Sequence, residues 1–276
     1  MASVIDMVRR HRVLYTLLGI NCAVFFILSV AALVARFGAP EWSLLPGWFE
    51  MPGSVSAWIM RPWTLLTYMV TQVEFLHLFF NMLWLIWFGD ILMSTLGQRH
   101  LLGLYLCGGV VGGLLYLAAA SWVPALCPPG SVLIGSSASV LAVMAATAFR
   151  SPDYTFHLFF IGDVRLKWIA VFMIVLAFIG LGGGNAGGQV AHIGGVAFGS
   201  LQGLLLRRGI DIFGRHGRSR QQLRRRPAKV LSAIDQHRRD AARLDELLDK
   251  IRISGFNSLN KKEREELDRL SQKITK

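Results

Sequence analysis

Apolar residues are gathered into six blocks that are separated by polar or glycine-rich segments. A block of about 20 apolar residues matches the thickness of a bilayer core, so the pattern predicts membrane-spanning helices. The first block is too long for a signal-peptide core and has no A-x-A site after it, so we expect it to stay as an anchor. The predicted fold is an all-α membrane protein, a bundle of six transmembrane helices. The blocks cover residues 13–35, 76–94, 100–122, 132–149, 168–184 and 189–206.

The fourth block is built of Ala, Ser, Val and Met, and we expect it to lie in the centre of the bundle. Small residues let helix backbones approach each other closely but offer lipid little contact. The Lys and Arg residues in the short flanking segments predict that both termini are cytoplasmic. On this prediction the fourth and sixth helices both start at a similar depth below the outer face.

The chain divides into three predicted parts. Residues 1–208 form the membrane domain, residues 209–229 a basic linker, and residues 230–276 a small cytoplasmic helical hairpin. Ser258 is the expected N-cap of the second hairpin helix. Within the membrane domain, residues 37–75 contain four Trp and four Pro, which is typical of a loop in the membrane interface.

Composition and charge narrow the possible partners. Hydrophobic residues make up 53% of the chain, which excludes an ordinary soluble domain. The net charge of +12 is concentrated in residues 207–276, which hold 20 Lys and Arg against 10 Asp and Glu. A basic tail after a final span is typical of contact with anionic lipid, and no nucleic-acid-binding motif accompanies it. The three cysteines lack CxxC or CxxH spacing, so the sequence indicates neither a disulfide framework nor a zinc site.

Several polar residues lie inside the predicted spans, where each one is costly. His77 and Asn81 are four residues apart and share a helix face. His192 shares a face of the sixth helix with Gly195 and Gly199, a face shaped for close approach to another helix. The fourth helix offers a matching small-residue face beside Ser137, formed by Ala138, Ala142 and Ala146. Contact between these two faces would bring the Ser137 hydroxyl to the His192 imidazole.

That pair has the chemistry of a nucleophile and its base. A serine hydroxyl becomes reactive when a neighbouring neutral histidine takes its proton. The fourth, fifth and sixth spans contain no Asp or Glu, so the residues permit a Ser-His dyad rather than a Ser-His-Asp triad. The candidate donors to a tetrahedral oxyanion are the backbone N–H of Ser137 and the side chains of His77 and Asn81.

The segments HLFFN, GSSAS and AHIGG occur in the order and span positions of the rhomboid intramembrane serine proteases. Over residues 10–208 the chain resembles the bacterial type of this family, with its six-span core. The resemblance implies that Ser137 is the nucleophile and His192 the general base, with His77 and Asn81 at the oxyanion site. It also implies cleavage of single-span membrane proteins in or near their transmembrane segments, without a cofactor or metal. The implied location is a bacterial inner membrane.

Several positions depart from the family pattern, among them four in or near the spans. Ala138 stands where the family usually has a second glycine, and Leu141 where an aromatic ring often stacks on the catalytic histidine. Gln72 replaces a common histidine, and Met93 replaces a common glutamate. None of these positions belongs to the dyad.

Other functions remain open at this point. A catalytically inactive rhomboid-like protein that binds transmembrane clients would be expected to lack one member of the dyad, and this chain keeps both. A transporter or channel would call for internal repeats or charges at mid-bilayer, and the sequence has neither. Structurally, Ser137 could bond back to a carbonyl group, and His77 with Asn81 could join two helices. The segment 180–188 has six glycines and is predicted to be mobile, either as a lid above the dyad or as a plain flexible connection.

Overall fold

The computed structural model describes residues 11–158, 162–214, 236, 239–240 and 242–274. Up to residue 214 the described residues form helices joined by short 3₁₀ turns and two small strand pairs. The helices are α1 Arg12–Arg36, α2 Val55–Met60, α3 Thr64–Thr67, α4 Phe75–Thr95, α5 Gln98–Trp122, α6 Ser137–Arg150, α7 Leu166–Ile179 and α8 Ala186–Arg207.

The helix lengths support a multi-pass membrane protein. Within the part of the chain that the structure describes, α1, α4, α5 and α8 are long and apolar enough to cross a bilayer. Helix α6 and the segment Leu166–Gly182, which contains α7, are apolar but shorter. The first three predicted spans and the sixth agree with the observed helices within a few residues. The fourth begins five residues later than expected.

The late start of α6 has a structural cause. Residues Val132–Leu133 form a strand, β2, that pairs antiparallel with β1, Met51–Pro52, in the loop between α1 and α4. Gly135 then turns the chain with a φ of +115°, a conformation that favours glycine. Helix α6 therefore begins at Ser137, directly after the turn.

Helix α6 is the centre of the bundle, as its small residues predict. All but three of its residues are buried, and α4, α5, α7 and α8 pack around it. Helix α5 approaches α6 closely through glycines: a Cβ built on Gly108 would lie 2.2 Å from the Ala142 Cβ. Helix α1 lies at the edge and buries one stripe of residues, Leu14, Leu17, Asn21, Leu28 and Ala31. The first residue of this central helix, Ser137, is partly buried.

Two connections between helices differ from the sequence-based predictions. Strands β3, Thr155–Leu158, and β4, Gly162–Arg165, form an antiparallel hairpin between α6 and α7. The predicted mobile segment is also shorter than expected, because Gly180–Gly182 form a 3₁₀ turn and α8 begins at Ala186. Only residues 183–185 lie between these two elements, so the irregular connection is shorter than the predicted segment, while its motion stays a prediction.

Two residues just past the predicted boundary at residue 208 contact helix α5. Asp211 Oδ1 lies 2.7 Å from His100 Nε2, near the start of α5, and both side chains are buried. The Phe213 ring covers Gly103, where an added Cβ would lie 2.6 Å from the ring. Asp211 and Phe213, which the sequence assigned to the linker, thus pack against α5.

The C-terminal residues form the expected pair of helices, at 242–254 (α9) and Lys261–Ile274 (α10). Leu247, Leu259 and Leu270 form a small core between them. The predicted N-cap is wrong: Ser258 donates to the Gly255 carbonyl instead. Asn260 caps α10, since its Oδ1 accepts from the Glu263 N–H while the Glu263 carboxylate accepts from the Asn260 N–H. The predicted linker, apart from residues 209–214, lies outside the described residues.

Candidate active site

Ser137 and His192 are brought together in the structure. The Ser137 Oγ lies 2.6 Å from His192 Nε2, although the two residues are 55 positions apart in the chain. Ser137 is the first residue of α6, and His192 lies in the second turn of α8. The distance is that of a short hydrogen bond between a hydroxyl and an imidazole nitrogen. A neutral imidazole in this position can accept the hydroxyl proton.

Glycines in α8 make this approach possible. A Cβ built on Gly195 would lie 2.1 Å from the Ala138 backbone oxygen, and one on Gly199 would lie 2.1 Å from the Ala142 oxygen. Real Cβ atoms do not approach closer than about 3.0 Å. The predicted small-residue faces therefore do pack against each other, backbone to backbone, and this contact sets the spacing between the two candidate catalytic side chains.

The two residues open into a cavity of about 230 Å³ between α4, α6, α7 and α8. His77, Asn81 and Gln189 supply its other polar side chains, while Phe80, Trp84, Met173 and Leu176 are among its apolar lining. One water needs only about 10–15 Å³, so the cavity has room for a hydrolytic water and part of a substrate. All four site residues predicted from the sequence therefore line one cavity.

Gly135 fixes the position of His77 relative to Ser137. A Cβ on Gly135 would lie 2.9 Å from the His77 Cε1 atom, so the ring occupies the space that a larger residue would need. Because Gly135 also turns the chain into α6, it orients the first N–H groups of that helix. The first N–H groups of a helix lack helical partners and favour negative charge.

Gln189 is a site residue that the sequence reasoning missed. Its Oε1 lies 2.9 Å from His192 Nδ1, one helical turn away along α8. Because a glutamine oxygen can only accept a hydrogen bond, this contact favours the tautomer with the proton on Nδ1, which leaves Nε2 free to face Ser137. The signal in the sequence was the spacing of three residues between Gln189 and His192, which puts both on one face of α8.

Asn81 belongs to a buried hydrogen-bond network centred on Gln72. The Gln72 Oε1 accepts from Asn81 Nδ2 at 3.0 Å, while Gln72 Nε2 donates to Ser136 Oγ and to Asn21 Oδ1, both at 3.1 Å. Asn21 in α1 and Tyr105 in α5 are joined at 3.0 Å in the same network. Gln72, noted in the sequence only as a departure from the family, thus connects α1 to Asn81 and to the residue before Ser137.

The other departures are accommodated by their surroundings. The Ala138 methyl group lies where Gly112 leaves room, since a Cβ on Gly112 would be 2.8 Å from it. Leu141 lines the cavity beside His192, and Met93 is buried in the bundle. A glycine in α5 therefore compensates for the missing glycine in α6.

Comparison with known proteins gives two family matches. Residues 60–209 match the Rhomboid domain family, and residues 235–273 match a family of unknown function, DUF6576. The chain is also similar to RHOMBOID-like protein 12, mitochondrial, of Arabidopsis thaliana, with 28% identity over 157 residues. That alignment covers 53% of this chain and 47% of the relative, so the chain spans less than half of that relative's length.

Proposed function

Because the chain belongs to the rhomboid family, we propose that it is an intramembrane serine endopeptidase that uses a Ser137–His192 dyad. The observation that supports this proposal is the 2.6 Å contact between Ser137 Oγ and His192 Nε2 at the edge of a polar cavity. Its substrates are single-span membrane proteins, cleaved in or near the transmembrane segment. Helix-weakening residues near the cut favour cleavage, because unfolding a helix in lipid exposes costly backbone groups.

The proposed reaction follows from the arrangement of the two side chains. His192 Nε2 takes the Ser137 proton while Oγ attacks the substrate carbonyl carbon. The Ser137 backbone N–H and the side chains of His77 and Asn81 donate to the resulting oxyanion. His192 then gives the proton to the leaving amine, and a water molecule hydrolyses the acyl-enzyme by the same route. Gln189 holds the imidazole in the tautomer that this sequence of steps requires.

The proposed topology has six spans, with α6 and the segment Leu166–Gly182 as the two short ones. Both termini lie in the cytoplasm, and the membrane is a bacterial inner membrane. The short length of α6 suits this topology, because Ser137 then begins below the outer face rather than at it. The basic residues of the linker contact anionic lipid on the cytoplasmic side.

Ser137→Ala tests the proposal directly. The purified wild-type chain is expected to cut a panel of single-span substrates with Gly, Pro or polar residues in their helices, and the variant is expected to cut none. Ser139→Ala is the matched control, since Ser139 lies in the same helix, is buried and lies outside the cavity lining. Binding of the panel by a wild-type chain that never cleaves it would favour the alternative, a catalytically inactive rhomboid-like protein that holds transmembrane clients.

A further inference from the structure

The hairpin tip, which we define as residues 248–264, exposes large apolar side chains. The hairpin already buries Leu247, Leu259 and Leu270 in one small core, each to 3% exposure or less. Ile253 and Phe256 are outside this core and remain 78% and 52% exposed. Two such side chains at one turn form an apolar surface that the hairpin itself does not cover.

The turn that carries these side chains is held in place by polar contacts. Asn260 and Glu263 cap α10 reciprocally, and Lys250 Nζ lies 2.7 Å from the Glu263 carboxylate, joining the two helices. The Arg264 guanidinium lies over the Phe256 ring at 5.1 Å. Phe256 is thus fixed in an outward position, so its exposure is a built feature of the turn.

The positive charge of the hairpin is concentrated at the same end. The hairpin tip contains five Lys and Arg against two Asp and Glu, whereas residues 236–247 and 265–276 each balance three against three. Lys261 and Lys262 occupy the first positions of α10, where the helix dipole disfavours positive charge. Two lysines at an unfavourable position, beside exposed apolar residues, match the chemistry of an anionic lipid surface.

We propose that the hairpin tip docks onto the anionic surface of the membrane that holds the six-span domain. Ile253 and Phe256 enter the headgroup region, and Lys261 and Lys262 face the lipid phosphates. The tail can reach this surface, because a segment of the length of residues 215–235 spans at most about 70 Å. A helix the length of α10 is only about 21 Å long. This inference concerns the tail alone and stands whether or not the chain is a protease.

The test uses the full chain in lipid nanodiscs, with its three native cysteines replaced by alanine. A polarity-sensitive fluorophore is attached at Ser254→Cys in the hairpin tip or, as a control, at Ser271→Cys at the opposite end of the hairpin. We expect a blue shift at position 254 in discs of phosphatidylcholine with phosphatidylglycerol. We expect no shift in discs of phosphatidylcholine alone, and none at position 271 in either lipid.

Two sets of variants identify the source of the shift. Lys261→Glu with Lys262→Glu is expected to abolish it, since each lysine contributes about fivefold to the docked population. The same charge change at Lys273 and Lys276, in the segment 265–276 where positive and negative residues balance, should leave the blue shift intact. Ile253→Ser with Phe256→Ser should also abolish the shift, and both side chains are exposed enough for the hairpin to stay folded.

Three results would overturn the proposal. A shift that is equally large in neutral lipid and in detergent would mean that the hairpin tip contacts protein instead of lipid. A shift that appears only when discs hold two copies of the chain would assign the surface to a second copy. The absence of any shift in anionic discs would leave the hairpin tip in water.

Discussion

Gly195→Ala adds one methyl group at the contact that positions the two candidate catalytic residues. The new Cβ would lie 2.1 Å from the Ala138 backbone oxygen, and real Cβ atoms keep at least 3.0 Å. Since the obstacle is backbone, no side-chain rotation relieves it, and α6 and α8 must separate by roughly 1 Å. Gly195 is one turn from His192, and Ala138 follows Ser137. The separation of the helices therefore increases the distance between Ser137 and His192.

The expected loss of activity is large. Moving the helices apart by about 1 Å would stretch the Ser137–His192 distance from 2.6 Å to about 3.6 Å, beyond hydrogen-bond range. A misplacement of this size costs on the order of 10²-fold in rate. Overpacking should also lower the free energy of unfolding by about 1–3 kcal/mol. Replacing glycine by alanine in a helix would otherwise stabilise it by about 1 kcal/mol. The sign of the change in unfolding free energy therefore tells whether the added methyl group meets the backbone of α6.

The measurement compares turnover of a model substrate and thermal unfolding in detergent for Gly195→Ala and the wild type. Gly19→Ala in α1 is the matched control, because an added Cβ there has no atom within 4 Å. We expect the control to keep full activity and to melt at the same or a slightly higher temperature, since its added methyl group meets no obstacle. If Gly195→Ala kept wild-type turnover and melted at the same or a higher temperature, the proposed role of the backbone contact would be refuted.

Three further perturbations test the surroundings of the dyad and the domain boundary. Gln189→Leu removes the acceptor of His192 Nδ1 and should lower kcat about tenfold with little change in KM. An unchanged kcat in steady-state assays would show that Gln189 has no role in the reaction. Gln72→Leu leaves its buried partners unsatisfied and should lower the unfolding free energy by about 1–3 kcal/mol. An unchanged unfolding free energy in denaturant titrations would show that the Gln72 network adds nothing to stability. Truncation after Gly214 should preserve activity in detergent. Truncation after Arg208 should lower the melting temperature, because it removes the residues that pack on α5. Equal melting temperatures for the two truncations would support the boundary predicted at residue 208.

The sequence alone determined the features that depend on local composition. Apolar blocks of bilayer length predicted α1, α4, α5 and α8, because a helix is the cheapest way to satisfy backbone groups in lipid. The period of small residues predicted that the faces of α6 and α8 meet, and therefore that Ser137 approaches His192. The faces could be read from the chain because an α-helix puts every third or fourth residue on one side.

Only the tertiary structure decided contacts between distant segments. The pairing of Val132–Leu133 with Met51–Pro52, which delays the start of α6, joins residues about 80 positions apart. The links from Gln72 to Asn21 and Ser136 likewise cross 51 and 64 positions, and the contact between His100 and Asp211 crosses 111. A buried polar side chain needs a hydrogen-bond partner. The sequence predicts this need but not the identity of the partner, because the partner depends on how whole helices pack.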